Sequence, residues 1–281
     1  MSVSDEDKIK KIMSDAGCGL YGVAAFGELR GGLIGCSGLR RLPEKAASVI
    51  VCAFPYFTGI HPDANISKYA MPEDYHIVVG GMLRAAVQSL AAAFPAGSFV
   101  PFCDASPIPE VEAARLAGIG AVGRSGLIIT NEYGSYVFIG EIVTDLVLKP
   151  SKPAACGCLG CGICERLCPG GALVNGEVDR TRCLSAVTQK KGVLSAEETA
   201  LVKRGGSAWG CDICQDVCPL NRGAALTEIA AFRRELVTRL EENDAFDDKY
   251  PGRAFMWKGA AVLRRNLGII AERTENNNTT P

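Results

Sequence analysis

Histidine is scarce in this sequence, and an imbalance of charge is missing altogether. His61 and His76 are the only histidines in 281 residues, and each reads first as a packed or surface side chain rather than a metal ligand. Thirty basic against 31 acidic residues leave a formal net charge of -1, which gives the whole molecule no electrostatic pull on nucleic acid or an anionic membrane. No N-terminal leader is expected either. The opening MSVSDEDKIKK is polar with no apolar core, and no later apolar run is long enough to span a bilayer, so a cytoplasmic location is expected. Cysteine, by contrast, is abundant. Thirteen Cys in a reducing compartment point to metal ligation, and their odd number defeats complete pairing as disulfides.

Length and a hydrophobic share of 48% allow one large or two moderate domains with real cores. Ile9, Ile12, Met13 and Ala16 recur at helical spacing before Gly17, and a strand follows near 20–26. Ser48 to Phe54 is a continuous β-rich apolar run, read as a buried strand. The pattern from Val78 to Phe94 predicts a helix ended by Pro95, and Ser106 with Pro107 predicts the N-cap and first turn of another running to Leu116. Residues 126–130 and 135–148 read as two strands around a turn at Asn131 and Gly134. Alternating helices and strands make residues 1–150 an α/β or α+β domain. The stretch from Lys149 to Pro153 then reads as a linker, and nine of the 13 Cys fall between Cys156 and Asn221. Ser195 with Glu198 forms a capping box. Ile229, Phe232, Leu236, Val237 and Leu240 predict an amphipathic helix, Ala260 to Ile270 predicts another, and the final TENNNTTP is expected to fray.

The strongest signal is Cys158-x2-Cys161-x2-Cys164-x3-Cys168-Pro169, echoed by Cys211-x2-Cys214-x3-Cys218-Pro219. Three thiolates within seven residues, spaced by Gly160 and Gly162, let the backbone curl around one 4Fe-4S cubane, and the fourth Cys of such a run ligates the other cluster in two-cluster ferredoxins. The second run lacks a leading Cys, because position 208 is Ala, and Cys183 is the nearest replacement. Two ligand sets result: Cys158, Cys161, Cys164 and Cys218 for one cluster, Cys168, Cys183, Cys211 and Cys214 for the other. Cys156 is left as a spare thiol. Zinc is the bland alternative, but it needs neither a third Cys in the same turn nor the Cys-Pro ending. Cys18, Cys36, Cys52 and Cys103 sit among apolar neighbours and read as small buried hydrophobes.

Two other motifs fail on context. Gly118-Ile-Gly120-Ala-Val-Gly123 matches the dinucleotide pattern, yet a helical segment precedes it and an apolar run follows, the reverse of what that site requires. Asp74, His76 and Gly80 approach the D-x-H-x-x-G motif of cobalt-binding corrinoid proteins, but the glycine comes one residue late.

In order along the chain stand Lys68-Tyr69-Ala70, Asp74-Tyr75-His76, Asp104-x-x-Pro107, Ala117-Gly-Ile-Gly-x-x-Gly123, Tyr133-Gly-Ser135, Gly140-Glu-Ile-x-Thr-Asp145, Cys183-Leu-Ser185-x-x-Thr188, and the run from Trp209 to Asn221. These blocks resemble the epoxyqueuosine reductase family, relatives of the corrinoid-dependent reductive dehalogenases. The resemblance implies an α+β protein: an N-terminal nitroreductase-like cobalamin-binding domain (1–150), a double 4Fe-4S ferredoxin-like domain (151–223) and C-terminal helices (224–281). It implies base-off cobalamin near His76, Asp104, Gly123, Ser135 and Ser185. The two clusters would relay electrons from a low-potential donor such as flavodoxin or ferredoxin to cobalt, for removal of an epoxide oxygen in queuosine tRNA modification. Asp104 falls at the family's proton-donor position; its apolar surroundings (VPFCDASP) would raise its pKa by desolvation and keep it protonated. Without the resemblance, Asp104 before Pro107 reads as a turn or cap. Arg124, Ala186 and Lys190 depart from the family's usual Lys, aromatic and acid. The chain is expected to be a short member lacking the C-terminal helical repeat that grips tRNA. Arg222, Arg233, Arg234, Arg264 and Arg265 are offset by nearly as many acids, which weakens tRNA as substrate. The alternatives are an electron-transfer protein without catalysis of its own and a reductase that reactivates a partner's corrinoid.

Overall fold

The computed structural model describes residues 3–154 and 157–277; Cys156 and the last four residues of the tail lie outside them. The chain divides into two compact units. One comprises Met1–Pro55, Tyr75–Gly123 and Leu127–Leu159, the other Tyr56–Asp74, Arg124–Gly126 and Gly160–Pro281. This differs from a three-part division at 150 and 223. Residues 56–74 bury Ile66, Ala70 and Met71 in a cluster with Trp209, Phe246, Phe255 and Leu263, so an early segment and the C-terminal helices share one core.

The first unit contains α1 (Val3–Asp15), β1 (Tyr21–Ala25), α2 (Phe26–Leu29), β2 (Ser48–Pro55), α3 (Tyr75–Ala93), β3 (Phe99–Phe102), α4 (Glu110–Leu116), β4 (Ala121–Val122), β5 (Ile128–Ile129) and β6 (Val137–Thr144). Four strands form an antiparallel sheet in the order β1-β2-β6-β3. The central β2 is buried along its whole length because both faces of the sheet are covered, which is why its sequence is continuously apolar. On one face Val49, Val51 and Val143 pack with Ala113 and Ala114 of α4 and with Ala117 at its C-terminal cap. On the other, α3 buries Val79, Leu83, Ala86 and Leu90. Gly140 admits that helix: a Cβ there would meet the Leu83 side chain at 2.8 Å. α3 is in fact long and apolar enough by length and composition to cross a membrane, contrary to expectation, and its apolar stripe serves this core instead.

Two local expectations change here. Helix α4 begins at Glu110 rather than near Pro107, because the Ser106 hydroxyl accepts from the Ile108 N–H in a loop that precedes the helix. The segments around Asn131 do not form one hairpin: β5 pairs with β4, β6 joins the main sheet, and a single bridge between Thr130 and Gly134 links them.

The second unit contains α5 (Ile163–Arg166), the hairpin β7 (Leu173–Val174) and β8 (Glu177–Val178), α6 (Leu184–Thr188), α7 (Ala196–Gly205), α8 (Ile213–Asp216), α9 (Phe246–Lys249) and α10 (Ala260–Asn277). The capping box opening α7 is present, with Ser195 and Glu198 bonded reciprocally. Asn266, buried on α10, donates to the carbonyls of Thr188 at 2.7 Å and Ala208 at 2.8 Å, tying α6 and the strand-like approach to Cys211 onto the last helix. The helix expected over Ile229 to Leu240 does not form. A 3-10 turn at Ala230–Arg233 gives way to extended chain, with Glu235 at φ 49. The backbone bonds go elsewhere: Val237 N–H donates to Met71 O, and Leu240 exchanges both of its bonds with the Asn65 side chain. Phe232 and Leu240 are still buried, so the apolar spacing was real but is satisfied by a different path.

Candidate cluster ligands and carboxylate site

In the second unit, four thiols predicted as one ligand set converge. Cys168 follows α5, Cys183 is the N-cap of α6, and Cys211 and Cys214 lie just before and within α8. Burial pushes the Cys211 and Cys214 thiols up to about 12, and the neighbouring Cys168 and Cys183 push in the same direction. Two buried thiols held that high, with two more sulfurs beside them, can ionise together only beside a strong positive charge, which iron supplies. The Ala172 N–H also donates to the Cys168 sulfur at 3.2 Å, a bond suited to a thiolate ligand. The donor set therefore fits a cubane. Of the other set, Cys161 is exposed and Cys164 buried on α5, which packs against α8; Cys218 caps the turn at Pro219. Gly160 and Gly162 take φ 66 and 65, the left-handed turns that curl this run. Cys158 falls in the last residues of the first unit.

The second Cys run is braced by residues that sequence reasoning did not assign. Asp212, between two predicted ligands, accepts from the Ser67 hydroxyl and from the Lys68 N–H at 2.7 Å, while Lys68 Nζ donates to Asp216 at 2.7 Å. Trp209 Nε1 donates to Tyr69 Oη at 2.8 Å, and buried Tyr56 bonds Gln215. Ser185 lies on α6 in this unit, with its carbonyl accepting from Thr188 and Gln189. Arg124 pairs with Glu165 at 2.8 Å, and Lys190 with Glu198 at 2.8 Å.

In the first unit the structure brings His76 and Asp104 together. Asp104 Oδ2 accepts from Tyr75 Oη at 3.0 Å and lies 3.3 Å from His76 Nε2, and its Oδ1 accepts from the Ala105 N–H at 2.7 Å. Tyr75 stacks on Phe138 with ring centres 4.3 Å apart. Asp104 and Ala105 both have positive φ, 56 and 44, which turns the carboxylate out of the apolar stretch. Its side chain is 58% exposed. The expectation of a protonated Asp104 is therefore corrected: the bond from His76, with those from Ala105 and Tyr75, holds it at about 2 against a smaller opposing effect of burial. Gly123 closes the β4–β5 turn by donating to Leu127 O at 2.8 Å, and Ser135 is buried beside the Thr130–Gly134 bridge. Cys18 and Cys52 are fully buried as expected, whereas Cys36 and Cys103 are only half-buried, facing the carbonyls of Ala105 and Tyr75.

Protonated carboxyls do occur here, at residues the sequence reading passed over. Glu141, on β6 opposite Val51 and Phe102, is completely buried, and neither of its oxygens finds a hydrogen-bond partner among the described residues. Burial first, then the charge of Glu110, push its pKa well above the carboxylate range; the Ser106 hydroxyl opposes this, and Asp104 adds a smaller push. Glu110, at the start of α4, is pushed up to about 7 by burial and by Asp104. An acidic residue inside the apolar run FIGEIV was the signal that could have found the pair. Because folded Glu110 holds its proton up to about 7 while the unfolded chain releases it near 4.5, the unfolded state binds fewer protons in that window. Stability should therefore fall as pH rises from about 4.5 to about 7, by on the order of 2–3 kcal/mol. Glu110→Gln should flatten that slope in thermal melts; an unchanged slope would contradict the assignment.

Residues 157–221 match the family model of a 4Fe-4S double cluster binding domain, and residues 37–105 match that described as epoxyqueuosine reductase QueG, DUF1730. The epoxyqueuosine reductase of a Synechocystis species is 33% identical over 244 residues, 81% of this chain and 84% of the relative. The chain spans 60%, 58% and 54% of the length of three other curated relatives of that name. The structure of epoxyqueuosine reductase from Streptococcus thermophilus aligns with a TM-score of 0.81 at 25% identity, covering 99% of this chain and 83% of that one. An epoxyqueuosine reductase crystallised with an epoxyqueuosine-modified tRNA-Tyr stem loop shares the fold, with a TM-score of 0.83 at 23% identity over 98% of this chain and 83% of that one. The chain carries a double 4Fe-4S cluster domain and belongs to the epoxyqueuosine reductase family.

Proposed function

We propose that this chain is an iron-sulfur, cobalamin-dependent reductase that removes the oxygen of an epoxide, with an epoxyqueuosine nucleoside in a tRNA stem loop as its substrate. The observation that carries this reading is the grouping of Tyr75, His76 and Asp104, which joins two separate family blocks into one hydrogen-bonded site. The ligand sets are Cys158, Cys161, Cys164 and Cys218, and Cys168, Cys183, Cys211 and Cys214. The first unit is taken as the nitroreductase-like, cobalamin-binding part. The residues that would hold the corrin, base-off, are His76, Asp104, Gly123, Ser135 and Ser185, and the contact between His76 and Asp104 would keep both at one side of it. Bound cobalamin would supply a strongly reducing metal centre. The chain's own residues receive electrons from a low-potential flavodoxin or ferredoxin in a reducing cytoplasm, orient the substrate, and bring protons to its oxygen through Asp104.

Anaerobically reconstituted protein is expected to retain cobalamin with a base-off spectrum and to convert an epoxyqueuosine-containing tRNA-Tyr stem loop to the queuosine form. Failure to retain any corrinoid would overturn the proposal. Reduction of a partner protein's corrinoid without turnover of the stem loop would replace it with the reactivating role.

A further inference from the structure

Between the sheet and α4, the first unit places three carboxyl groups in one neighbourhood with no cation among the groups that act on the inner two. Glu141 projects from the middle of β6 into the cluster of Val49, Val51, Phe102 and Ala113, where both oxygens lack a partner among the described residues. Glu110 opens α4 with one buried oxygen also unpartnered. Facing Glu141 are Glu110, Asp104 and the Ser106 hydroxyl, with the Cys52 thiol of β2 on the opposite face of the sheet; facing Glu110 is Asp104. Asp104 in turn meets His76 and Tyr75 from α3 at the exposed side. The three carboxyls thus run from the core outward to the surface site, and the outermost is the ionised one.

A lone carboxylate with no partner is not tolerated in such a core, so Glu141 must hold a proton to be there, and Glu110 beside it holds one up to about 7. We propose that Glu110 and Glu141 store the proton that Asp104 lacks at rest and pass it through Asp104 to the substrate oxygen during turnover. This rests on the reaction proposed above. Conversion of an epoxide to an alkene and water breaks both C–O bonds and consumes two electrons and two protons. The electrons come from the low-potential donor by way of the clusters. One proton leaves the Glu110 carboxyl as its O–H bond breaks, crosses the Asp104 carboxylate and ends on the departing oxygen; the second comes from solvent. The pair is left with one more negative charge and regains its proton from water afterwards. Acceptance by an alkoxide-like oxygen makes the net transfer downhill even though Asp104 itself is a poor resting acid. Neither glutamate touches substrate, so both are relay residues.

Infrared difference spectra against pH of the cluster-loaded protein test the store directly, because surface carboxyls are fully ionised near neutral pH. One component of the un-ionised carboxyl absorption, that of Glu110, should disappear with a midpoint at about 7, while that of Glu141 persists. That titrating component should be lost in Glu110→Gln, and its midpoint should move down in Asp104→Asn, which removes the negative neighbour. With the stem loop as substrate, kcat should decline above the same midpoint, and Glu110→Gln should lower kcat by about tenfold or more while abolishing that decline. An absence of a carboxyl component titrating near 7 in the unaltered protein, a midpoint unmoved by Asp104→Asn, or a wild-type pH profile in Glu110→Gln would each overturn the relay. Unaltered protein that is inert toward the epoxide, with the infrared midpoint present and shifted by Asp104→Asn, would overturn the reaction and uphold the proton store.

Discussion

Cys183→Ala protein, reconstituted anaerobically, is expected to hold about four iron atoms where the unaltered chain holds about eight. Cys183 sits at the N-cap of α6, the only member of its set outside the two Cys runs, and its thiol acts on both Cys211 and Cys214. Loss of the fourth thiolate leaves an iron of that cubane with solvent as ligand, and the cluster should be released or degraded. The other set contains no group from α6, so its cluster should persist with its own spectrum. Electron flow through the pair should then stop, and with it any turnover. Iron and sulfide analysis with electron paramagnetic resonance reads the outcome. A full iron complement would remove Cys183 from the ligand set and bring Cys156 back into consideration.

Asp104→Asn should reduce kcat by about 10²–10⁴-fold while leaving iron content and corrinoid binding in place. The amide keeps the shape of the side chain but cannot carry a proton between the glutamate pair and substrate. It also gives up the negative charge that draws His76 and Tyr75 together. Retained cofactors with lost turnover separate this effect from misfolding. Turnover near the wild-type rate would exclude Asp104 from proton transfer.

The Cys spacing was the most legible feature of the sequence, because ligand geometry leaves so little freedom: the double-cluster domain it announced matches residues 157–221, and Cys168 and Cys183 act on the thiols of Cys211 and Cys214. The capping box of α7 and the fully buried β2 were equally readable, each being set by local chemistry. The protonation of Asp104 was not. An apolar flank suggested desolvation, but two residues at positive φ turn the carboxylate toward His76, and neither φ nor a partner 28 residues away is written locally. Residues 229–240 misled for a related reason. Their apolar spacing suits a helix, yet Met71 and Asn65 compete for the backbone bonds and win. Glu141 was visible as a charge in an apolar strand, but its lack of any partner is a property of the packed core alone.

The bracing of the second Cys run by residues 65–69 bears on how this protein can be cut. A fragment starting at residue 151 contains every proposed ligand and resembles a self-sufficient ferredoxin, but it lacks the Ser67 and Lys68 groups bonded to Asp212, 145 and 144 positions earlier in the chain. It would also expose the indole N–H of Trp209, which is fully buried here and bonded to Tyr69. Two buried polar groups stripped of partners would cost about 1–3 kcal/mol each, and the apolar cluster shared with Ile66 and Met71 would open to water. A cut at the apparent linker therefore severs a core, and the fragment able to assemble clusters is one that begins upstream of Tyr56.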